Sequence, residues 1–254
     1  MIENQFTLQN KNIVITGASS GIGKQCAITC SQMGANLILI ALEDDKLNET
    51  LKLLRGGNNL CYAQDITRYD EIDKIISDAV SKVGKISGFI HSAGIEMTLP
   101  LNVLKPENYF RTYSVNVISA FEISKRISHK KNADESGASF VFIASIMSDF
   151  GQAGKIGYCS SKGALVAGAR AMALELTAKK IRVNCISPAM VSTDMSQKLL
   201  DSLTSEAKNE ILKMHPMGIG DPVDIANGCV FLLSDAAKWI TGINLYIDGG
   251  YAAK

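Results

Sequence analysis

Short apolar runs rich in β-branched residues alternate along the chain with longer stretches in which apolar residues recur every three or four positions. The short runs are typical of buried strands, and the longer stretches have the periodicity of helices with one apolar face. This pattern predicts strands at 13–15, 37–41, 60–64, 86–91, 139–144, 181–186 and 243–247. It predicts helices at 22–33, 47–54, 72–83, 106–127, 158–178 and 221–233.

Regular alternation of strands and helices indicates an α/β fold in which a parallel sheet is covered by helices on both faces. With 254 residues, 46% hydrophobic and 20% charged, the chain has the size and core of one such domain, which we place at residues 1–254. Residues 192–216 are polar with a weak helical pattern, so they are predicted to form a substrate lid. An ordinary surface excursion is the alternative.

Composition excludes several classes of function. The formal net charge is +1 with mixed signs, so neither a nucleic-acid surface nor an acidic tail is expected, and the partner is predicted to be a small molecule. No apolar run reaches the roughly 18 residues of a membrane span. The first residues lack the basic and apolar regions of a secretory signal, so the expected location is cytoplasmic.

The six cysteines have no paired spacing. Cys26 and Cys30 are four positions apart on one predicted helix, but no histidine has a spacing that would complete a metal site. We therefore expect buried reduced thiols and no metal.

A glycine-rich turn at 16–23 follows the first strand and opens the first helix. This arrangement brings backbone N–H groups and a helix N-terminus up to a phosphate. Gly17, Gly21 and Gly23 are spaced differently from the usual G-x-G-x-x-G, and such turns also occur as plain connectors. At the end of the second strand, where a carboxylate would hold a ribose 2′-hydroxyl, Ala41 and Leu42 stand instead.

Tyr158 and Lys162 lie four positions apart on a predicted helix, so their side chains share one face. A nearby ammonium stabilises a phenolate and makes the phenol an acid/base at neutral pH. Ser145, at the carboxyl end of the fifth strand, would hold a carbonyl oxygen beside that phenol. The same spacing is common on helices without any catalytic role.

Together these motifs resemble the classical short-chain dehydrogenase/reductase family, from about residue 10 to residue 251. The similarity is greatest to the 3-oxoacyl-[acyl-carrier-protein] reductase branch, and it includes Asp221-Pro222 and Asp248-Gly249-Gly250. The resemblance implies a single doubly wound Rossmann domain with a seven-stranded parallel sheet. It also implies an NAD(P)-dependent oxidoreductase that interconverts a carbonyl and a secondary alcohol.

The resemblance implies a role for each site residue. Tyr158 would transfer the proton, Lys162 would lower its pKa and bind the nicotinamide ribose, and Ser145 would orient the carbonyl. Asn116 would hold a water that relays protons. The residues implied to contact the cofactor are Gly17, Ser19, Ser20, Gly21, Ile22, Gly23, Leu42, Asp65, Ile66, Ser92, Ala93, Gly94, Tyr158, Lys162, Pro188, Val191 and Thr193.

Three positions depart from the family pattern. His91-Ser92 replaces an asparagine pair, which predicts some loss of stability or cofactor affinity. Without a carboxylate at Leu42, NADP(H) is favoured over NAD(H), although Glu43 and the acidic residues after it would argue the other way if they turned inward. Lys155 stands where acyl-carrier reductases often have glutamine, and if it faces the pocket it favours an anionic substrate.

Several alternatives are open at this point. A sugar or polyol, another small alcohol, a steroid-like alcohol or a small keto acid would each suit the same family. A cofactor-binding sensor or scaffold without turnover is the alternative of another class. The helix after residue 158 is rich in small residues, and the family commonly assembles through its long helices, so we expect a homotetramer or dimer; a structural partner in a hetero-oligomer is the further alternative.

Overall fold

Seven parallel strands form one sheet in the computed structural model, which describes residues 4–201 and 203–253. The sheet order is β3-β2-β1-β4-β5-β6-β7. The bounds are β1 (Asn12–Thr16), β2 (Asn36–Ala41), β3 (Leu60–Ala63), β4 (Gly88–His91), β5 (Ala138–Ile143), β6 (Ile181–Pro188) and β7 (Asn244–Ile247). Each strand lies within three residues of its predicted position, and the doubly wound α/β fold is confirmed.

Helices cover both faces of this sheet. They are α1 (Gly21–Gln32), α2 (Asp44–Lys52), α3 (Tyr69–Val83), α4 (Pro106–Tyr113), α5 (Ser119–Ile127), α6 (Ile156–Glu175), α7 (Asp194–Asp201), α8 (Ser205–Lys213) and α9 (Pro222–Leu233). Short 3₁₀ turns occur at Leu101–Val103, Ile146–Ser148, Thr177–Lys179, Asp235–Ala237 and Tyr251–Ala253.

Alternate residues of each central strand enter two separate cores. Val14 packs in the core beneath α3, α5 and α6, whereas its neighbours Ile13 and Ile15 pack in the core beneath α1 and α9. All three are fully buried, and each such side chain contributes about 1.5–3 kcal/mol of hydrophobic stabilisation. The strands are continuously apolar in sequence because helices cover the sheet on both sides.

The order of the strands reverses between β1 and β4, which are adjacent although β2, β3 and three helices separate them in sequence. Ligands bind to open parallel sheets at such a reversal, beyond the carboxyl ends of the strands. The glycine-rich turn after β1, Ser92 after β4 and Ser145 after β5 all lie there.

Two predicted elements differ in detail. The predicted helix at 106–127 is interrupted by a π-helical turn, Ser114–Ile118, that contains Asn116. The weak pattern at 192–216 corresponds to two helices, α7 and α8. Apolar periodicity does not reveal a π turn, because one extra residue shifts the helical face without changing the composition.

The cysteines of the described chain are all free thiols, and Cys26, Cys30, Cys185 and Cys229 are buried. Within residues 4–201 and 203–253, no group of three or more histidine, cysteine or acidic side chains is arranged to hold a metal ion. No helix in those ranges is long and apolar enough to cross a membrane.

Candidate active site

The glycine-rich turn brings its backbone into close contact with the segment after β4. Gly17 has a φ of +68°, and a Cβ there would lie 2.8 Å from the backbone nitrogen of Ala93. A Cβ on Gly23 would lie 2.2 Å from the carbonyl oxygen of Gly17. Both positions therefore require glycine, and the tight packing leaves the start of α1 facing the crevice.

The start of α1 suits a phosphate group. Ser20 occupies the N-cap position but its side chain makes no capping hydrogen bond, and no acidic residue stands in the first turn. The first backbone N–H groups of the helix thus have no intrahelical partner, and the helix dipole favours an anion beside them. These features fit the pyrophosphate of a dinucleotide.

Ser145 and Tyr158, the two hydroxyl groups predicted to hold the carbonyl oxygen, lie beside each other in the crevice. Ser145 follows β5, and its hydroxyl oxygen accepts a hydrogen bond from the Met147 backbone N–H at 3.2 Å. The phenol of Tyr158, on the first turn of α6, lies close enough to this hydroxyl for Ser145 to lower its pKa. The pair presents two hydroxyl groups to one point in the crevice, as a carbonyl oxygen requires.

Lys162 lies one helical turn beyond Tyr158 and is almost completely buried. Its Nζ donates a hydrogen bond to the Ile143 carbonyl oxygen at 2.8 Å and stands 5.7 Å from the centre of the Tyr158 ring. Burial is the largest effect on this ammonium and lowers its pKa from 10.5 to about 8.

The phenol is held in its protonated form. Burial first, and then the negative charge of Glu96, raise the pKa of Tyr158 well above its ordinary value, while the Ser145 hydrogen bond acts in the opposite direction. We predicted that Lys162 lowers this pKa; in the protein by itself, burial and Glu96 dominate, and Ser145 is the group that lowers the pKa. A protonated phenol is the state that can donate a proton to a carbonyl oxygen.

Asn116 joins the segment after β4 to α6. Its Oδ1 accepts from the Ile95 N–H at 2.8 Å, and its Nδ2 donates to the Ile95 carbonyl and to the Ser161 hydroxyl, both at 3.0 Å. The side chain thus lies beside the residue that precedes Lys162. A role in proton relay through water stays a prediction.

A cavity of about 510 Å³ contains most of the predicted site. It is lined by the predicted catalytic residues Ser145, Tyr158 and Lys162, and by the predicted cofactor residues Gly17, Ser19, Ser20, Gly21, Ile22, Ser92, Ala93, Gly94, Pro188, Val191 and Thr193. Helices α7 and α8 contribute Met195, Leu199 and Ile211 to the same wall, so the predicted lid segment does border the site.

The other predicted residues lie outside this lining. Gly23 and Asn116 are buried behind it, and Leu42 is exposed. Asp65 accepts hydrogen bonds from the N–H and hydroxyl of Thr67, which are the main cause of its lowered pKa, and Ile66 is a buried core residue. Contact of Leu42, Asp65 and Ile66 with an adenosine group stays a prediction.

His91 takes the place of the family asparagine at the end of β4. Its Nδ1 lies 3.0 Å from the hydroxyl of Thr16, which links β4 to β1, and its Nε2 has no hydrogen-bond partner within the described residues. The ring is fully buried and packs edge-on to Phe142. Burial is the main cause of a pKa lowered to about 3, so the imidazole is neutral.

Two site residues were missed by the sequence reasoning. Glu96 lines the cavity and forms an ion pair with Lys155 at 2.6 Å, so the charge of Lys155 is neutralised. His215 follows α8; its Nε2 accepts from the Met190 N–H at 3.2 Å, and its Nδ1 lies 2.7 Å from the Ile211 carbonyl. No motif marks either residue, because each acquires its role from a segment distant in sequence.

Comparisons with known proteins agree with this geometry. A family model described as enoyl-(acyl carrier protein) reductase matches residues 17–252. An NAD-dependent glycerol dehydrogenase of Listeria innocua is 31% identical, covering 99% of this chain and 98% of its own. A 3-oxoacyl-[acyl-carrier-protein] reductase of Thermotoga maritima is 30% identical, with 96% and 98% covered.

Among solved structures, 7α-hydroxysteroid dehydrogenase complexed with NADH and 7-oxo glycochenodeoxycholic acid superimposes with a TM-score of 0.90 at 32% identity, covering 97% of this chain and 96% of its own. The chain belongs to the short-chain dehydrogenase/reductase family. It is an oxidoreductase that acts on CH–OH groups with NAD(P), and it is similar to the 3-oxoacyl-[acyl-carrier-protein] reductase branch.

Proposed function

We propose that this protein reduces the ketone of a small molecule to a secondary alcohol, with Tyr158 as the proton donor and NADP(H) as the preferred coenzyme. The observation that carries the proposal is the position of the Tyr158 phenol beside the Ser145 hydroxyl, inside a cavity that is also lined by Lys162 and by the glycine-rich turn. When bound, the nicotinamide supplies the hydride that is added to the carbonyl carbon.

The side chains of the chain perform the remaining tasks. Ser145 and Tyr158 hold the ketone oxygen, and the phenol O–H gives its proton to that oxygen as negative charge develops there. Lys162, held by the Ile143 carbonyl, places a positive charge beside the phenolate that remains. Asn116 keeps α6 in position next to Ile95 and, we propose, holds the water through which the phenolate regains its proton.

The preference for NADP(H) is supported by the end of β2. Leu42 stands where a carboxylate would repel a 2′-phosphate, and Glu43 is paired with Lys46 at 2.6 Å. Glu43 and Asp44 are both exposed, and the Lys46 ammonium offsets the charge of Glu43, so the objection from these acidic residues is weakened. Ser19 and Ser20 supply hydroxyl donors on the cavity wall.

Two substrate classes are each favoured by an observation. The apolar residues Met195, Leu199 and Ile211 of the lid suit the acyl chain of a 3-oxoacyl thioester, the substrate named for the Thermotoga relative. The ion pair of Glu96 and Lys155 suits a polyol or hydroxyketone, in line with the glycerol dehydrogenase of Listeria.

We further propose that the protein is a cytoplasmic homotetramer or dimer. Exposed apolar side chains on α4 and α6, including Phe110 and Leu174, support self-association. Light scattering of the purified chain measures the assembly directly, and a monomer at working concentration would contradict it.

The test is a fluorescence titration with NADPH and NADH, followed by turnover with acetoacetyl thioester, dihydroxyacetone and 2-butanone. We expect tighter binding of NADPH and reduction of at least one ketone, with a loss of about 10³-fold or more in kcat for Tyr158→Phe. Coenzyme binding without turnover of any ketone would favour a sensor or scaffold instead. Tighter binding of NADH would overturn the coenzyme preference.

A further inference from the structure

A buried ion pair forms part of the cavity wall. The Nζ of Lys155 lies 2.6 Å from Oε1 of Glu96, and their side chains are only 8% and 20% exposed. Both residues line the cavity together with Tyr158. Charged groups are costly to bury, so such a pair inside a binding cavity calls for an explanation.

The two partners come from segments that are fixed to each other. Lys155 precedes α6 and lies three residues before Tyr158, whereas Glu96 follows β4. The Leu99 N–H donates to the Gly154 carbonyl at 2.8 Å, and Ile95 is held by Asn116. The pair therefore has a defined position relative to the reactive phenol.

The Lys155 ammonium and the Glu96 carboxylate can each form further hydrogen bonds. An ammonium has three protons and a carboxylate has about four acceptor positions, and the described residues provide no further side-chain hydrogen bond to Lys155 Nζ or to the Glu96 carboxylate. A hydroxyl group can accept from the ammonium and donate to the carboxylate at once. A ketone, an ether or a carboxylate cannot do both.

The charges of the pair also disfavour an anionic substrate. Glu96 cancels the charge of Lys155, and its carboxylate is close enough to Tyr158 to raise the pKa of the phenol. An anionic substrate would place a second negative charge beside Glu96 in a cavity where screening is weak. The anionic preference predicted from Lys155 alone is therefore replaced by a preference for a neutral group.

We propose that Lys155 and Glu96 form a hydroxyl-recognition subsite that selects neutral ketones carrying a hydroxyl group near the reacting carbonyl. The corresponding products are vicinal or 1,3-diols. This inference rests on the proposed ketone reduction and deepens it, since it chooses the hydroxylated class over a long-chain acyl thioester. A purely structural ion pair, joining the segment after β4 to α6, is the competing explanation.

The test compares matched ketones in which one group changes. Hydroxyacetone, 2-butanone and pyruvate carry hydroxymethyl, ethyl and carboxylate on the same carbonyl; 4-hydroxy-2-butanone, 2-pentanone and acetoacetate extend the series by one carbon. We expect kcat/KM for the hydroxyketone to exceed that for its alkyl match by about tenfold or more in at least one series, with the keto acid lowest. Equal values for hydroxyketone and alkyl ketone in both series would overturn the proposal.

Substitution of the ion pair should change kcat/KM in opposite directions for keto acids and for hydroxyketones. Glu96→Gln leaves the Lys155 ammonium without its counter-charge, so we expect kcat/KM to rise for the keto acids and fall for the hydroxyketones. Lys155→Met combined with Glu96→Gln should bring hydroxyketone and alkyl ketone to within about twofold of each other. The control is Lys85→Met with Glu135→Gln, which removes a more exposed Lys–Glu pair of 2.7 Å outside the cavity lining and should leave the selectivity unchanged.

A binding measurement separates this proposal from the proposed function. Tyr158→Phe protein saturated with NADPH is titrated with hydroxyacetone and with 2-butanone, and nicotinamide fluorescence is recorded. Selective binding of hydroxyacetone with no turnover by the native protein would reject the reductase activity and keep the subsite. Turnover of all ketones without selectivity, together with equal losses for every substrate and a lower Tm in the pair variants, would establish a purely structural pair.

Discussion

The Lys162 ammonium is hydrogen-bonded to the carbonyl oxygen of Ile143 at 2.8 Å, which fixes a side chain of α6 to the last residue of β5. Ser145 stands two residues beyond that carbonyl. The strand therefore positions both the hydroxyl and the ammonium of the site, while Tyr158 reaches them from the helix. This arrangement is energetically unfavourable in one respect, because it holds the charged ammonium away from water.

Replacing Lys162 should stabilise the fold while it removes activity. A pKa lowered from 10.5 to about 8 corresponds to about 3 kcal/mol of unfavourable free energy for the charged form at pH 7. Loss of the hydrogen bond to Ile143 offsets about 1–2 kcal/mol of this. We expect Lys162→Met to unfold at higher urea concentration at pH 7, by about 1–2 kcal/mol.

The pH dependence of this stability difference tests whether burial of the ammonium is its cause. The native ammonium loses its proton as pH rises through about 8 in the folded state, and the unfolded chain does so near 10.5, so the cost disappears over that window. The advantage of Lys162→Met should shrink between pH 8 and pH 10. Lys130→Met, at an exposed position, is the control; an advantage independent of pH would contradict burial as the cause.

His91 should make the protein sensitive to acid. Its folded-state pKa of about 3 lies below the ordinary 6.5, so the unfolded chain binds a proton that the folded chain does not. As far as His91 is concerned, the folded protein keeps its full stability above pH 6.5 and loses stability as pH falls below that value. The loss caused by His91 amounts to about 2–3 kcal/mol at pH 4.5. We expect His91→Asn to lose less stability than the native protein between pH 7 and pH 4.5, as measured by urea unfolding.

The exposed His129 provides the matched control for that experiment. His129→Asn should show the same loss on acidification as the native chain. If His91→Asn also shows the native loss, the imidazole is not the group that binds the proton on unfolding.

Gly23→Ala should disrupt the coenzyme site. The added Cβ would lie 2.2 Å from the Gly17 carbonyl oxygen, so the turn must move away from α1. We expect a loss of about 1–3 kcal/mol in unfolding free energy and at least about tenfold weaker NADPH binding. Gly151→Ala, whose Cβ would meet no atom within 4 Å, is the control and should change neither quantity.

His215 should hold the lid segment against the loop after β6. His215→Phe keeps the ring that packs on Tyr251 at 5.1 Å between centroids, but loses the contacts with the Met190 N–H and the Ile211 carbonyl. The Met190 amide is partly buried, and leaving such a group unpaired costs at most about 1–3 kcal/mol. We expect faster proteolysis within 194–213 and a raised KM with kcat nearly unchanged; native proteolysis and kinetics would show that α8 is held by packing alone.

Local patterns were sufficient to predict the positions of the strands and of most helices. Three of the four residues predicted to be catalytic lie in one cavity. Ser145, Tyr158 and Lys162 lie within or directly beside regular elements whose apolar periodicity is strong, so their mutual arrangement follows from strand and helix geometry. Asn116 was assigned to a plain helix, and its π turn was not anticipated. The start of α2 was also placed three residues late, because Asp44 and Asp45 stabilise a helix N-terminus through charge and not through an apolar pattern.

By itself, the sequence determined the strands, the glycine-rich turn and the spacing of Tyr158 and Lys162, since each depends on residues that are close along the chain. Only the tertiary structure decided that Glu96 neutralises Lys155, that burial keeps the Tyr158 phenol protonated, and that His215 bridges α8 to Met190. Charge pairing and desolvation depend on distances across the fold and on exclusion of water, and neither is written in local periodicity.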